Sequence, residues 1–108
     1  MKQRDVVICA FPGAESAKAR PAIVLSTDEY HRNRPDVILG VVTTQKPHSL
    51  TPTDCPLVEW RDAGLHAPSY FRLYVVTVPQ RSVRVVDRLA DGDWAAVQER
   101  VHRGLGLA

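Results

Sequence analysis

A chain of 108 residues that is 44% hydrophobic, with a mean hydropathy of −0.18, excludes intrinsic disorder and leaves no room for a second unit, so residues 1–108 read as one domain. The formal charge of +2 and pI near 8.7 neither demand nor forbid a nucleic-acid partner, because a local basic patch matters more than the sum. No apolar run approaches the ~20 residues that cross a bilayer, which excludes a helical membrane span. The opening Met1-Lys-Gln-Arg-Asp5 runs straight into a strand pattern without the apolar core of a signal peptide, and a cytoplasmic location is expected. In that compartment Cys9 and Cys55 are expected to be free thiols, Cys9 as a small core residue.

Asp5 to Phe11 predicts the first strand, ended by the turn pair Pro12-Gly13, and the small, polar stretch from Gly13 to Ala19 predicts a loop. Ala22 to Ser26 predicts a second strand and Val37 to Thr43 a third. Between them Thr27 to Arg34 reads as a helical turn capped by Thr27 or Asp28 and stopped by Pro35. Gln45 to Thr53 predicts a surface loop, Pro56 to Trp60 a short strand or edge, and Asp62 to Leu65 a turn. The β-branched and aromatic run from Tyr70 to Val78 and the imperfect alternation from Ser82 to Leu89 predict the last strands. Asp91 then caps a helix whose apolar residues Trp94, Val97, Val101 and Leu105 recur at helical spacing. Many short strands and one terminal helix make the chain mainly β (α+β), a small antiparallel barrel with a C-terminal helix.

Two segments carry chemistry. Lys18-Ala-Arg-Pro-Ala-Ile-Val-Leu-Ser26 places Arg20 at the mouth of a strand, held from behind by Pro21, and Val41-Val-Thr-Thr-Gln45 closes a strand on Thr43 and Thr44. A guanidinium fork matches two phosphoryl oxygens and a threonine hydroxyl donates to a third, a set suited to phosphodiester chemistry without a metal. Spacing alone does not choose between Thr43 and Thr44. Metal-ligand spacings such as CxxC, HxxxH and HExxH are absent from the sequence, as are a Gly-rich phosphate loop and a Gly-x-Ser-x-Gly elbow, so no metal or cofactor is expected.

The same segments, with Glu29 to Gln45 and Ala63 to Val78, resemble the MazF/PemK (Kid-like) toxins of bacterial type II toxin–antitoxin systems, from about Asp5 to the C-terminus. The resemblance implies an SH3-like, CcdB-type barrel forming a symmetric homodimer. It also implies a sequence-selective endoribonuclease that cuts single-stranded RNA and is silenced by a cognate antitoxin. Its catalytic arginine and threonine fall on Arg20 and Thr43. In such chemistry the 2′-hydroxyl attacks its own phosphorus, giving a 2′,3′-cyclic phosphate and a 5′-hydroxyl, and the phosphoryl oxygens need donors.

Glu15, in the loop upstream of Arg20, matches an acidic residue of some relatives and is one candidate proton acceptor; His31 and His48 are alternatives. Arg72 matches an arginine that Kid-like members follow two residues later with an aspartate. Here that position is Tyr74, which can donate a hydrogen bond or stack on a base but is a poor base itself, with a phenol pKa near ~10. Lys18, Thr44, Gln45, Lys46 and Tyr74 are the expected RNA contacts. Phe11, Tyr30, Tyr70 and Phe71 are further aromatics near the site, of which alternation commits half to the core. Arg4 stands where many relatives carry glycine. Two rival classes remain: a non-catalytic CcdB-like poison of a topoisomerase, which would not need Arg20 beside Thr43, and an inactive SH3-like interaction module.

Overall fold

The computed structural model describes residues 1–10, 19–45 and 49–107. Among the described residues six strands form one antiparallel sheet: β1 (Asp5–Ala10), β2 (Ala19–Val24), β3 (Asp36–Thr43), β4 (Cys55–Leu57), β5 (Ser69–Pro79) and β6 (Arg84–Arg88), in the spatial order β4-β5-β3-β2-β1-β6. The sheet curls into a half-barrel. A short helix α1 (Asp28–Asn33) links β2 to β3, and α2 (Asp91–Leu105) closes the chain against the sheet.

Alternation gives the sheet two apolar faces. Val6, Ile23, Val42 and Phe71 project from one face into a core completed by Cys55, Leu57, Ala63, Leu89 and Val97, with Trp60, Leu73, Trp94 and Val101 packed around it. Val7, Cys9, Ala22, Val24, Val37, Leu39 and Val78 form a second cluster on the other face. Both cysteines are buried and free, as the sequence predicts.

Two register slips shape the sheet. In β3–β5 the pair Gly40↔Val75 is followed by Val41↔Arg72, so Leu73 and Tyr74 have no partners on β3. Leu73 turns into the core and lies against Gly104 of α2, where a Cβ would collide with it. Tyr74 is 66% exposed. In β1–β6, Val6↔Asp87 gives way to Val7↔Val85, a one-residue bulge that interrupts the alternation of β6.

Several boundaries differ from those the sequence predicts. β2 begins at Ala19, so Arg20 stands inside the strand rather than ahead of it, and it ends at Val24. Ser26 is diverted: its Oγ accepts the Ile38 N–H at 3.0 Å and lies 2.6 Å from His31 Nε2. β4 is Cys55–Leu57 instead of Pro56 to Trp60, because the Val58 and Glu59 amides both donate to the Asp93 carboxylate at 2.8 Å. Asp91 is the first helical residue of α2, and Ala90 takes the cap position without a side-chain bond. The Asp91 carboxylate instead accepts from Arg4 Nη2 at 2.6 Å. Thr27 caps α1 as expected, accepting from the Tyr30 N–H. Leu105 is 60% exposed despite its place in the helical stripe.

Arg4 has φ +79°, the left-handed backbone that glycine adopts without cost. Its own bonds offset the strain. The backbone donates to Val24 O and accepts from Leu89 N, and Nε donates to Leu89 O at 2.8 Å.

Candidate functional site

The site is built by strand register. β2 and β3 pair through Val24↔Leu39, Ile23↔Gly40 and Ala22↔Val41; continuing this register by two residues sets Arg20 opposite Thr43. On the far side of β3, Thr43 pairs with Tyr70 and Val41 with Arg72. Paired residues of an antiparallel sheet point to the same face, with Cβ atoms about 4.5–5.5 Å apart. Thr43 and Tyr70 therefore share a face with Arg72 two residues further along, and Arg20, which pairs with Cys9 of the second cluster, stands on that face two residues beyond the last β2–β3 pair and extends the row across a third strand. This is the face of the second cluster, beyond its apolar part. Three short strands thus bring together groups that lie 50 residues apart in the chain.

Each member is presented differently. Arg20 is exposed, and Pro21 behind it has no N–H to give; the β2–β3 ladder stops one residue short of Pro21. Thr43 is half-buried at the end of β3, and its Oγ1 accepts the Gln45 N–H at 3.1 Å. That bond occupies a lone pair and leaves the hydroxyl proton to donate elsewhere. Thr44 and Gln45 follow the strand end and are exposed. Tyr70 is half-buried while its neighbour Phe71 is wholly buried on the opposite face, the division that alternation predicts.

Arg72 is exposed, and its Nε lies 3.9 Å from Asp54 Oδ1. Asp54 is only 5% exposed; its Oδ2 accepts from Thr51 Oγ1 at 2.9 Å and from the Thr51 amide at 3.2 Å. Sequence reasoning missed Asp54. Its signal is visible only once β4 is paired with β5, since Cys55↔Phe71 continued by one residue sets Asp54 opposite Arg72.

The structure brings Arg20, Thr43 and Arg72 to one face and sets Thr44 and Gln45 beside them. Tyr74, in the slip between Gly40 and Val41, lies outside the row. Glu15, Lys18, Lys46, His48 and Phe11 lie outside the described residues. His31 and Tyr30 belong to α1, away from the row: His31 is tied to Ser26, and the Tyr30 hydroxyl donates to Asp36. Among the described residues, no three His, Cys, Asp or Glu side chains gather to hold a metal ion, and no helix is long and apolar enough to cross a membrane.

Fold and site together define a small antiparallel half-barrel protein that presents a guanidinium, a hydroxyl and a phenol in one cross-strand row. A family model described as PemK-like, MazF-like toxin of type II toxin–antitoxin system matches residues 2–105. The chain belongs to this family. Solved structures share the fold. One is an endoribonuclease in complex with its cognate antitoxin from Mycobacterial species, with 15% identity over 100% of this chain and 97% of that chain and a TM-score of 0.80. Another is the Mycobacterium tuberculosis toxin MazF-mt6, with 23% identity, 97% and 99% coverage and a TM-score of 0.76. A third is a MazE–MazF structure from Deinococcus radiodurans, with 19% identity, 100% and 98% coverage and a TM-score of 0.78. A comparison with curated proteins found no match.

Proposed function

We propose that this toxin is a metal-independent, sequence-selective endoribonuclease that cleaves single-stranded RNA by attack of a 2′-hydroxyl on its own phosphodiester. The observation that carries the reading is the shared row of Arg20 and Thr43, with Arg72 on the same face. Charge builds on the phosphoryl oxygens as the pentavalent phosphorus forms. Arg20 spans the two non-bridging oxygens with its planar fork, and Thr43 donates its free hydroxyl proton to one of them as a further hydrogen bond. Arg72 adds a second positive charge along the strand direction. The 2′ proton passes to Glu15 or to solvent as the 2′-oxygen bonds to phosphorus, the P–O5′ bond breaks and the departing oxygen takes a proton from solvent, so the products are a 2′,3′-cyclic phosphate and a 5′-hydroxyl.

Tyr70, next to Thr43 in the row, offers an aromatic face for a splayed base, and Tyr74 offers a second outside it. Lys18, Thr44, Gln45 and Lys46 contact the RNA around the scissile group. The substrate places the activity in the cytoplasm. The protein acts as a homodimer, as the family resemblance implies, and is neutralised by a cognate antitoxin, a partner present in the complex solved for a structurally similar endoribonuclease.

The test is incubation of the purified protein with a long RNA in EDTA. Discrete fragments ending in cyclic phosphate, lost in Arg20→Ala and Thr43→Val, are the expected result; loss of one such donor costs on the order of 100- to 1000-fold in rate. Intact RNA with wild-type protein refutes the reading, and stalled DNA gyrase in parallel would favour a CcdB-like poison.

A further inference from the structure

We infer that Asp54 is a positioning residue of this site: its carboxylate sets the direction in which Arg72 presents its guanidinium to the scissile phosphodiester. The inference rests on the ribonuclease reading above and adds to it a residue that neither motif nor spacing points to.

Three observations carry it. Register places Asp54 directly across from Arg72, on the face that holds Arg20 and Thr43. The carboxylate is fixed before any substrate arrives. Its Oδ2 takes both the amide and the hydroxyl of Thr51, and the Asp54 carbonyl accepts from Arg100 Nε at 3.0 Å, tying this point of the chain to α2. Finally, among the described residues Oδ1 is the oxygen left over, and the group it faces is Arg72 Nε at 3.9 Å.

A nearly buried carboxylate without compensating partners is costly, so its persistence here calls for both Thr51 and the cation. At 3.9 Å the approach is a contact between charges and not a hydrogen bond. It biases a side chain that is 51% exposed without immobilising it. A guanidinium has five N–H donors, and engagement through Nε leaves both Nη groups for an anion. Misplacement of a reacting contact by ~1 Å costs about 100-fold in rate, so the direction of Arg72 matters more than its presence nearby.

The experiment compares wild type, Asp54→Asn, Arg72→Ala and the double variant, as full-length proteins. It measures kcat on a cleavable oligoribonucleotide, and affinity for the same oligonucleotide with a single 2′-deoxy substitution at the scissile nucleotide. Asp54→Asn is expected to lower kcat by about 10- to 100-fold while affinity changes by less than about threefold. In the Arg72→Ala background it is expected to have no further effect. Should Asp54→Asn fail to fold, Thr51→Ala carries the same expectation at about three- to tenfold in kcat, since it removes one hydrogen bond to Oδ2.

A carboxylate that merely adds negative potential would, once neutralised, tighten RNA binding and raise kcat/KM. That result overturns the inference, as does an unchanged kcat or an equal loss in the Arg72→Ala background. If wild type cuts RNA and Arg20→Ala does not, while Asp54→Asn behaves as wild type, this inference alone fails. If wild type leaves RNA intact, the ribonuclease reading falls and this inference with it.

Discussion

Gly40 is the residue on which the register of the site turns, and adding one methyl group there tests the geometry directly. It lies in β3 at the last pair before the slip, and a Cβ built on it runs into Cε1 of the Phe71 ring, with Leu25 Cδ1 at 3.2 Å. Phe71 is wholly buried and pairs with both Val42 and Cys55, so its ring has little room to retreat. Overpacking of this kind costs about 1–3 kcal/mol, against roughly 0.5–1 kcal/mol that alanine regains over glycine through the unfolded chain. Because the obstacle is a wholly buried ring, the overpacking falls in the upper half of that range, so the net loss for Gly40→Ala is about 1–2.5 kcal/mol, which lowers the melting temperature by roughly 4–11 °C for a domain of this size.

The assay is thermal and urea unfolding of Gly40→Ala, Phe71→Leu and the double variant. Phe71→Leu vacates the space that the new methyl needs, so the double variant should be more stable than the sum of the single losses allows, by at least ~0.5 kcal/mol of coupling. Activity provides the second readout. Phe71 lies between Tyr70 and Arg72 on β5, so a displaced ring shifts both site residues. RNA cleavage by folded Gly40→Ala should fall about tenfold beyond any unfolded fraction. A Gly40→Ala protein that melts with wild type, or strictly additive losses in the double variant, would refute the close approach of ring and strand.

Asp93→Ala strands the Val58 and Glu59 amides and should cost about 2–4 kcal/mol, read as a lower urea midpoint at unchanged m-value. The Tyr30 hydroxyl, and after it Arg34, hold the Asp36 carboxyl below its ordinary range. A depressed carboxyl contributes stability above its unfolded pKa that is lost as pH falls through the folded value, so the α1–β3 junction should loosen only below the usual carboxylate range. Tyr30→Phe should move the NMR-detected titration of Asp36 upward. Burial raises both the Cys9 and Cys55 thiols, so at neutral pH both should resist a thiol-specific disulfide reagent until the chain unfolds globally.

Much of the fold is legible because hydrophobic periodicity speaks directly to it. The predicted strands over Asp5 to Phe11, Val37 to Thr43 and Tyr70 to Val78 fall within a residue of β1, β3 and β5, and the cap of α2 falls on Ala90, one residue before the predicted Asp91. Where boundaries were illegible, a side chain from a distant element decides them. Asp93 ends β4 by taking two of the following amides. The Gln80 side chain donates to His31 O, Arg34 O and Asp36 O, fixing the turn before β6. Arg4 recruits Asp91, so the predicted cap becomes part of an ion pair across the molecule. Such bonds join residues 34 to 87 positions apart, beyond the reach of any local pattern.

The site divides in the same way. Arg20 and the pair Thr43-Thr44 stand out in local sequence, each at an apolar-to-polar junction of its own strand, but the choice of Thr43 over Thr44 comes from the family resemblance alone. What sets the place of Arg72 relative to them is the slip in β5. Without it, the register Gly40↔Val75 would continue to Val41↔Tyr74, and Thr43 would face Arg72. The slip withdraws Leu73 and Tyr74 from the ladder, places Arg72 beside Val41 and seats Tyr70 beside Thr43. It is held open by Leu73, whose side chain occupies the space that Gly104 leaves on α2. Counting two residues on from Arg72 therefore reaches a side chain outside the row, and the carboxylate that faces Arg72 comes from Asp54, across β4. Gly104→Ala should therefore disturb Tyr70 and Arg72 through Leu73, the side chain a Cβ there would meet. A Gly104→Ala protein with normal cleavage and unchanged chemical shifts in β5 would show that the slip does not depend on Leu73 packing against the helix.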